Sequence, residues 1–216
     1  MEDASLVGTR ERILKAAELL FASRGYAGTR LHEIAHGVGV QKASLFHHFA
    51  SKEDLYRAVL DEGHHHSRVT LEKALDGADT PLEKIRALTE AYVDMVVAHP
   101  ERTKILLRES FGDVPPGASR HETQQILGMV VDFVEDQRRQ TGNAEVDVRA
   151  LLVGVIGMVA FFFTSAPVLV PAWFADPLDA DNVARVKRLA TKVVEDGLAA
   201  SLKIPATTTP TKVAAR

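Results

Sequence analysis

Residues Thr29 to Phe49 read TRLHEIAHGVGVQKASLFHHF, and their spacing predicts two short helices broken by a glycine turn. Thr29 is placed as an N-cap, its hydroxyl accepting from a backbone N–H one turn on. Leu31, Ile34, Ala35 and Val38 follow at helical spacing on one face. Gly39 takes the left-handed conformation that ends a helix without a Cβ penalty. A second helix from about Lys42 to His48 turns Leu45 and Phe49 inward and leaves Lys42, Ser44 and His47 outside. The pattern is a helix-turn-helix, the arrangement that sets its second helix into a DNA major groove.

The same letters contain a rival. His32-Glu33-Ile34-Ala35-His36 is a literal H-E-x-x-H, which sets two imidazoles on one helix face beside a carboxylate and is the signature of a zinc-dependent hydrolase. Gly39 also stands where the longer form of that pattern has its glycine. The third ligand of that form falls on Lys42, a cation that repels zinc rather than binding it. The roughly thirty preceding residues read as helical and supply no sheet for a substrate cleft. The zinc hydrolase stays as the lesser alternative, and no metal site is expected.

Around this core the chain of 216 residues is 46% hydrophobic, ample for a buried interior. A net charge of −3 does not mark the whole chain as a nucleic-acid binder. From Thr9 to Arg57 the balance reverses: eight cations (Arg10, Arg12, Lys15, Arg24, Arg30, Lys42, Lys52, Arg57) face five carboxylates (Glu11, Glu18, Glu33, Glu53, Asp54), a local +3. That sign suits phosphates. The absence of cysteine removes disulfides, thiolate nucleophiles and Cys-based zinc sites. MEDASLVGTR at the start is polar and acidic rather than a secretory signal, so a cytoplasmic setting is expected. Ala150 to Phe163 is a continuous apolar run, shorter than the roughly 20 residues that cross a bilayer, and Pro167 and Pro171 interrupt its extension. No membrane association is expected. Gly37-x-Gly39 has no third glycine in register, and no nucleophile–base pair stands out, so neither catalytic residues nor a cofactor are expected.

A first helix from Thr9 to about Gly25 carries Ile13, Ala17, Leu20 and Phe21 on one stripe. The fourth helix opens at Ser51-Lys52-Glu53-Asp54, with Ser51 as cap and Asp54 as a short-armed capping-box acid, and runs to Gly77. His64, His65 and His66 point about 100° apart on it and do not converge on one ion. Residues 9–60 resemble the N-terminal domain of the TetR family of bacterial transcriptional regulators. The resemblance rests on Thr9-Arg10, Ile13-Leu14, Ala16-Ala17, Leu20-Phe21, Gly25-Tyr26, Thr29, Ile34-Ala35, Gly39-Val40, Leu45, His47, Phe49 and Ser51-Lys52-Glu53-Asp54-Leu55. Three positions depart from it: Phe46 stands for the usual Tyr, Gln41 for a Ser cap and Ala43 for a frequent Gly.

The remaining chain reads as all helix. Thr80-Pro81-Leu82-Glu83 is a capping box with proline at the first helical position, opening a helix that His99-Pro100 stops. Further helices are expected from about Glu101 to Phe111, from about Ser119 to Thr141 with Gly142 closing it, and from near Glu145 through Phe163. Residues 166–180 form a connection, and a last helix runs from Asp181 to about Lys203.

The expected fold is all-α: an N-terminal three-helix helix-turn-helix DNA-binding domain (1–50), a larger helical effector-binding and dimerisation domain (51–204), and a disordered tail (205–216). The resemblance implies a homodimer that binds near-palindromic double-stranded operator DNA and is released as a repressor by a small ligand. Thr29, Arg30, Gln41, Lys42, Ala43, Ser44, Phe46, His47, His48 and Lys52 are the candidate DNA contacts. Tyr92, Met95, Leu106, Met129, Phe133, Phe161 and Phe162 are candidates to line a cavity for a lipophilic effector. Gly154, Gly157, Val186, Leu189, Val193, Val194 and Gly197 are the candidate dimer interface.

Overall fold

The computed structural model describes residues 4–113, 115, 121–141, 147–169 and 176–202. Every regular element among them is a helix: α1 (Ala4–Gly28), α2 (Leu31–Gly37), α3 (Lys42–His48), α4 (Lys52–Asp76), α5 (Pro81–Ala98), α6 (Pro100–Ser110), α7 (His121–Thr141), α8 (Val148–Thr164), α9 (Ala166–Leu169) and α10 (Ala180–Leu202). The expected start of the seventh helix at Ser119, its closure at Gly142, the start of the eighth at Glu145 and the tail 205–216 lie outside the described residues. The stretch expected as a plain connection contains one extra turn, α9.

Local chemistry sets several boundaries. Ser51 accepts from the Asp54 N–H at 3.0 Å, and the Asp54 carboxylate accepts from the Ala50 N–H at 3.0 Å, closing the start of α4. Thr80 and Glu83 form the reciprocal capping box on α5, at 3.2 and 2.9 Å. Asp147 accepts from the N–H groups of Arg149 and Ala150 to cap α8. Gly39 has φ +72°, as its place after α2 requires.

Thr29 departs from the expected cap. Arg30 is the N-cap of α2, and its N–H donates to the Glu33 carboxylate at 3.2 Å. The Thr29 side chain is buried, and its hydroxyl donates back to the carbonyls of Gly25 (2.8 Å) and Leu20 (3.1 Å). It ties off α1 rather than opening α2. Gly25, with φ +74°, breaks the helical geometry of α1 just before that tie. A Cβ on Gly25 would collide with the Asp113 carboxylate.

Two cores divide the molecule. The first collects Ile13, Ala17 and Phe21 of α1, Ile34 and Ala35 of α2, Leu45 of α3, Phe49, and Leu55, Tyr56 and Val59 of α4. Phe21, Tyr26 and Tyr56 meet edge-on or stacked within it, with Phe21 and Tyr56 centroids 4.9 Å apart. The unit therefore extends past residue 50 into the first turns of α4, and Ile105 of α6 joins the same core. The second core is built from Ile85, Val93 and Val96 of α5, Val134 of α7, Val155, Val159 and Phe163 of α8, and Val186, Ala190 and Val194 of α10. Arg86–Glu195 and Lys187–Asp94, each at 2.6 Å, staple α5 to α10 along its rim.

Polar contacts fasten α6 to α1. The buried Glu18 carboxylate accepts from Arg102 Nε at 3.1 Å. Arg108 donates to the carbonyls of Ala22 and Ser23, at 3.1 and 3.0 Å. Tyr56 donates its hydroxyl to Glu109 at 3.4 Å. Burial, and next the Glu109 charge, hold that phenol well above its ordinary range.

Candidate nucleic-acid interface

The inward side of α3 is simple. Leu45 is fully buried and Phe49, just past the helix end, is 2% exposed, so these two residues fix the helix on the first core. By helical geometry the other residues of α3 turn away from that contact. Gln41, Lys42, Ala43, Phe46 and His47 are exposed, while Ser44 and His48 are half-buried. The ammonium of Lys42 lies 5.5 Å from the centroid of the Phe46 ring, a cation–π arrangement that holds both side chains together. The His47 and His48 rings meet edge-on at 5.9 Å. His48 Nε2 is enclosed without a hydrogen-bond partner, so this ring faces the protein more than solvent.

The flanking cations differ in how tightly they are held. Lys52 sits with its ammonium 4.4 Å above the Tyr26 ring, and its partial burial lowers its pKa below the usual lysine value. Arg10 stacks over Phe49 at 5.1 Å, and Arg12 donates to the Val38 carbonyl. Arg24 pairs with Glu33 at 2.6 Å, and Arg57 pairs with Glu53. Arg30 is exposed at the start of α2. Among the candidate contacts the structure thus groups Lys42 with Phe46 and His47 with His48, sets Lys52 on Tyr26, and turns Thr29 into the protein. Thr29 offers nothing to an external surface. Sequence reasoning gave no special role to Arg10 and Arg12, whose stacking and backbone contacts carry no periodic signal.

Within H-E-x-x-H, His32 and His36 are exposed. Glu33 is fully used inside the protein: one oxygen accepts from Arg24, the other from the Arg30 N–H, and Arg24 above all pulls its pKa below the carboxylate norm. The carboxylate that a zinc hydrolase needs as its base is a structural link between α1 and α2. No group of three or more His, Asp or Glu side chains among the described residues is arranged to hold a metal ion.

In the rest of the molecule, Tyr92, Phe133 and Phe162 pack against the second core, and the Tyr92 hydroxyl donates to the Ile156 carbonyl at 3.1 Å. Met95, Leu106 and Met129 are half-buried. Phe161 departs from its expected inward placement: it is 52% exposed, on the opposite side of α8 from Val155, Val159 and Phe163. The candidate interface residues also separate. Val186 and Val194 belong to the second core, filled by their own protomer. Gly197 lets α10 approach Leu151 of α8, where a Cβ would come within 2.9 Å of a Leu151 methyl. Leu189 and Val193 are exposed on α10, and on α8 Gly154 and Gly157 are open beside Val153, which is 67% exposed and was not singled out from the sequence. No helix among the described residues is long and apolar enough to cross a membrane.

Residues 13–59 match the family model described as bacterial regulatory proteins, tetR family. The chain is 27% identical over 151 residues to the HTH-type transcriptional activator FasR of Mycolicibacterium smegmatis, an alignment covering 69% of this chain and 68% of that one. It is 28% identical over 141 residues to the HTH-type transcriptional repressor KstR2 of the same organism, covering 64% of this chain and 62% of the relative, less than two thirds of its length. A TetR-family transcriptional regulator from Bordetella parapertussis shares the fold with a TM-score of 0.67 at 20% identity, covering 91% of this chain and 97% of that one.

Proposed function

We propose that this chain, whose residues 13–59 match the tetR family model and whose fold is shared with a TetR-family regulator, is a homodimeric DNA-binding regulator of that family, a repressor released from a near-palindromic operator by a small lipophilic effector. One observation carries the reading. A seven-residue helix is anchored by Leu45 and by Phe49 just past its end, and leaves Gln41, Lys42, Ala43, Phe46 and His47 outward, on a head whose core is otherwise complete. A second helix of this kind lies in the major groove, with its exposed side chains at the base edges and its flanking cations at phosphates. Lys42 and His47 serve as groove contacts, while Arg30 and Lys52 position the backbone. Among the relatives, the name of one says activator and that of another says repressor. Repression is the sign proposed here, and the position of the operator relative to a promoter decides it.

The outward apolar residues Val153 and Phe161 of α8 and Leu189 and Val193 of α10, with open glycines between them, support pairing with a second copy. Two-fold symmetry then sets two α3 helices a whole number of DNA turns apart. The half-buried Met95, Leu106 and Met129, with Tyr92, Phe133 and Phe162, support an apolar effector in the body. The work of such a chain is binding rather than catalysis, and its place is the cytoplasm, where operator DNA is found.

Selection of bound sequences from a random duplex pool, followed by affinity measurement at two salt concentrations, tests the reading. The expected result is an enriched near-palindrome bound by a dimer, with affinity falling as salt rises and Lys42→Ala losing about tenfold or more. A pool that never enriches above random DNA overturns it.

A further inference from the structure

We propose that Phe46 is a sequence-reading residue, and that it recognises the C5-methyl group of a thymine in each operator half-site. The proposal rests on the DNA-binding reading above and names what one side chain does within it.

Phe46 is 42% exposed although it lies one residue from the fully buried Leu45. The core does not need it: Leu45 and Phe49 already anchor α3, and the Phe46 ring is absent from the cluster of residues packed there. Its neighbours on the outward side are polar or small. Ala43, one turn earlier and also exposed, shares its face of the helix. Ala43 and Phe46 together make an apolar strip with no hydrogen-bonding atom, set between Lys42 and His47. In the major groove the base edges present donors and acceptors at every position, with one apolar feature, the thymine methyl. A strip that can neither donate nor accept has that group as its matching partner.

The Lys42 ammonium, 5.5 Å from the ring centroid, adds orientation. It restrains the ring on the outer surface of α3 and brings a positive charge to its side, so the ring reaches a base edge while the charge meets a phosphate or a purine acceptor nearby. Without a hydroxyl the ring has no hydrogen bond to give a phosphate, and nothing diverts it from the bases to the backbone.

The test uses the full-length protein and the operator enriched from the random duplex pool. Each thymine is replaced in turn by deoxyuridine, which removes the methyl and leaves pairing intact. Affinities are measured for the wild type, Phe46→Ala and Phe46→Leu, with circular dichroism confirming that each variant folds. One symmetry-related pair of positions is expected to respond, with a loss of about fourfold for one half-site and about fifteenfold for both. Phe46→Ala should bind the thymine operator more weakly and be indifferent to the replacement, while Phe46→Leu keeps part of the discrimination. The proposal is overturned if no deoxyuridine matters, if the penalty persists unchanged in Phe46→Ala, or if Phe46→Ala weakens every duplex equally, as a sugar contact would. A pool that enriches and then shows one of these results leaves the DNA-binding reading standing. A pool that does not enrich removes both.

Discussion

On α2 and α3 the outward residues include Arg30, His32, His36, Lys42 and His47, while Ile34, Ala35 and Leu45 point in and are almost completely covered. On α8 the distinction between faces is lost, and on α10 Leu189 and Val193 stand exposed among charged residues. Val155, Val159, Val186 and Val194 fill a core on one side, and Val153, Phe161, Leu189 and Val193 stand exposed on the other. The head therefore covers most of its apolar residues within one chain, with Leu19 and Phe46 exposed. The body leaves Val153 and Phe161 of α8 and Leu189 and Val193 of α10 exposed, apolar surface that costs free energy in water.

That contrast can be broken at its strongest point first. Phe21 is 1% exposed where α1 meets Tyr26 and Tyr56, so Phe21→Ala should cost about 3–5 kcal/mol, read by urea denaturation. If the head owes its fold to a partner chain rather than to this core, the loss will depend on protein concentration. The opposite behaviour is expected in the body. Val153→Glu combined with Phe161→Glu should weaken self-association by on the order of a hundredfold in sedimentation equilibrium, with helical content unchanged. Val194→Ala should instead lower the stability of the protomer. An intact dimer in the double glutamate variant would show that the exposed face of α8 is not where the copies meet.

Smaller effects sharpen the comparison. Gly25 has φ +74° and lies against Asp113, so Gly25→Ala should cost about 1–3 kcal/mol through backbone strain and displacement of that carboxylate. The smallest effect concerns His99, between α5 and α6, whose ring meets His66 edge-on at 4.9 Å. Burial first, then the charges of Arg102 and His66, lower its pKa below 6.5, with Glu18 opposing. A lowered folded-state value means that the stability is fully present above the unfolded pKa and is lost as pH falls through the folded one. Between pH 7.5 and 5 the wild type should therefore lose more Tm than His99→Gln. Equal losses would place the acid sensitivity elsewhere.

The helix-turn-helix was legible because several independent signals coincide within the twenty-six residues from Thr29 to Asp54: apolar spacing, a glycine that needs positive φ, and Ser51 with Asp54 at the next helix start. The differences between expected and observed placement share a physical origin. Thr29 has a hydroxyl suited either to capping the helix after it or to tying off the helix before it, and the choice depends on which carbonyls lie near. On α10 the apolar residues wrap far enough around the helix that periodicity cannot separate Val186 and Val194, which face α5 and α8, from Leu189 and Val193, which face outward. Phe161 sits in an unbroken apolar run and was indistinguishable from Phe162 and Phe163 for the same reason. The link from α6 to α1 left no trace at all, since Glu18, Arg102 and Arg108 look in sequence like ordinary solvated charges.

That link decides which parts of the molecule open together. Ile105 lies in the first core, Arg102 holds Glu18, and Arg108 occupies the carbonyls of Ala22 and Ser23. Cooperative units of local unfolding follow shared burial and hydrogen bonding rather than chain order. The amides of α6 should thus exchange with deuterium alongside those of α1, some eighty residues away in sequence, rather than alongside α5, to which α6 is joined directly by His99 and Pro100.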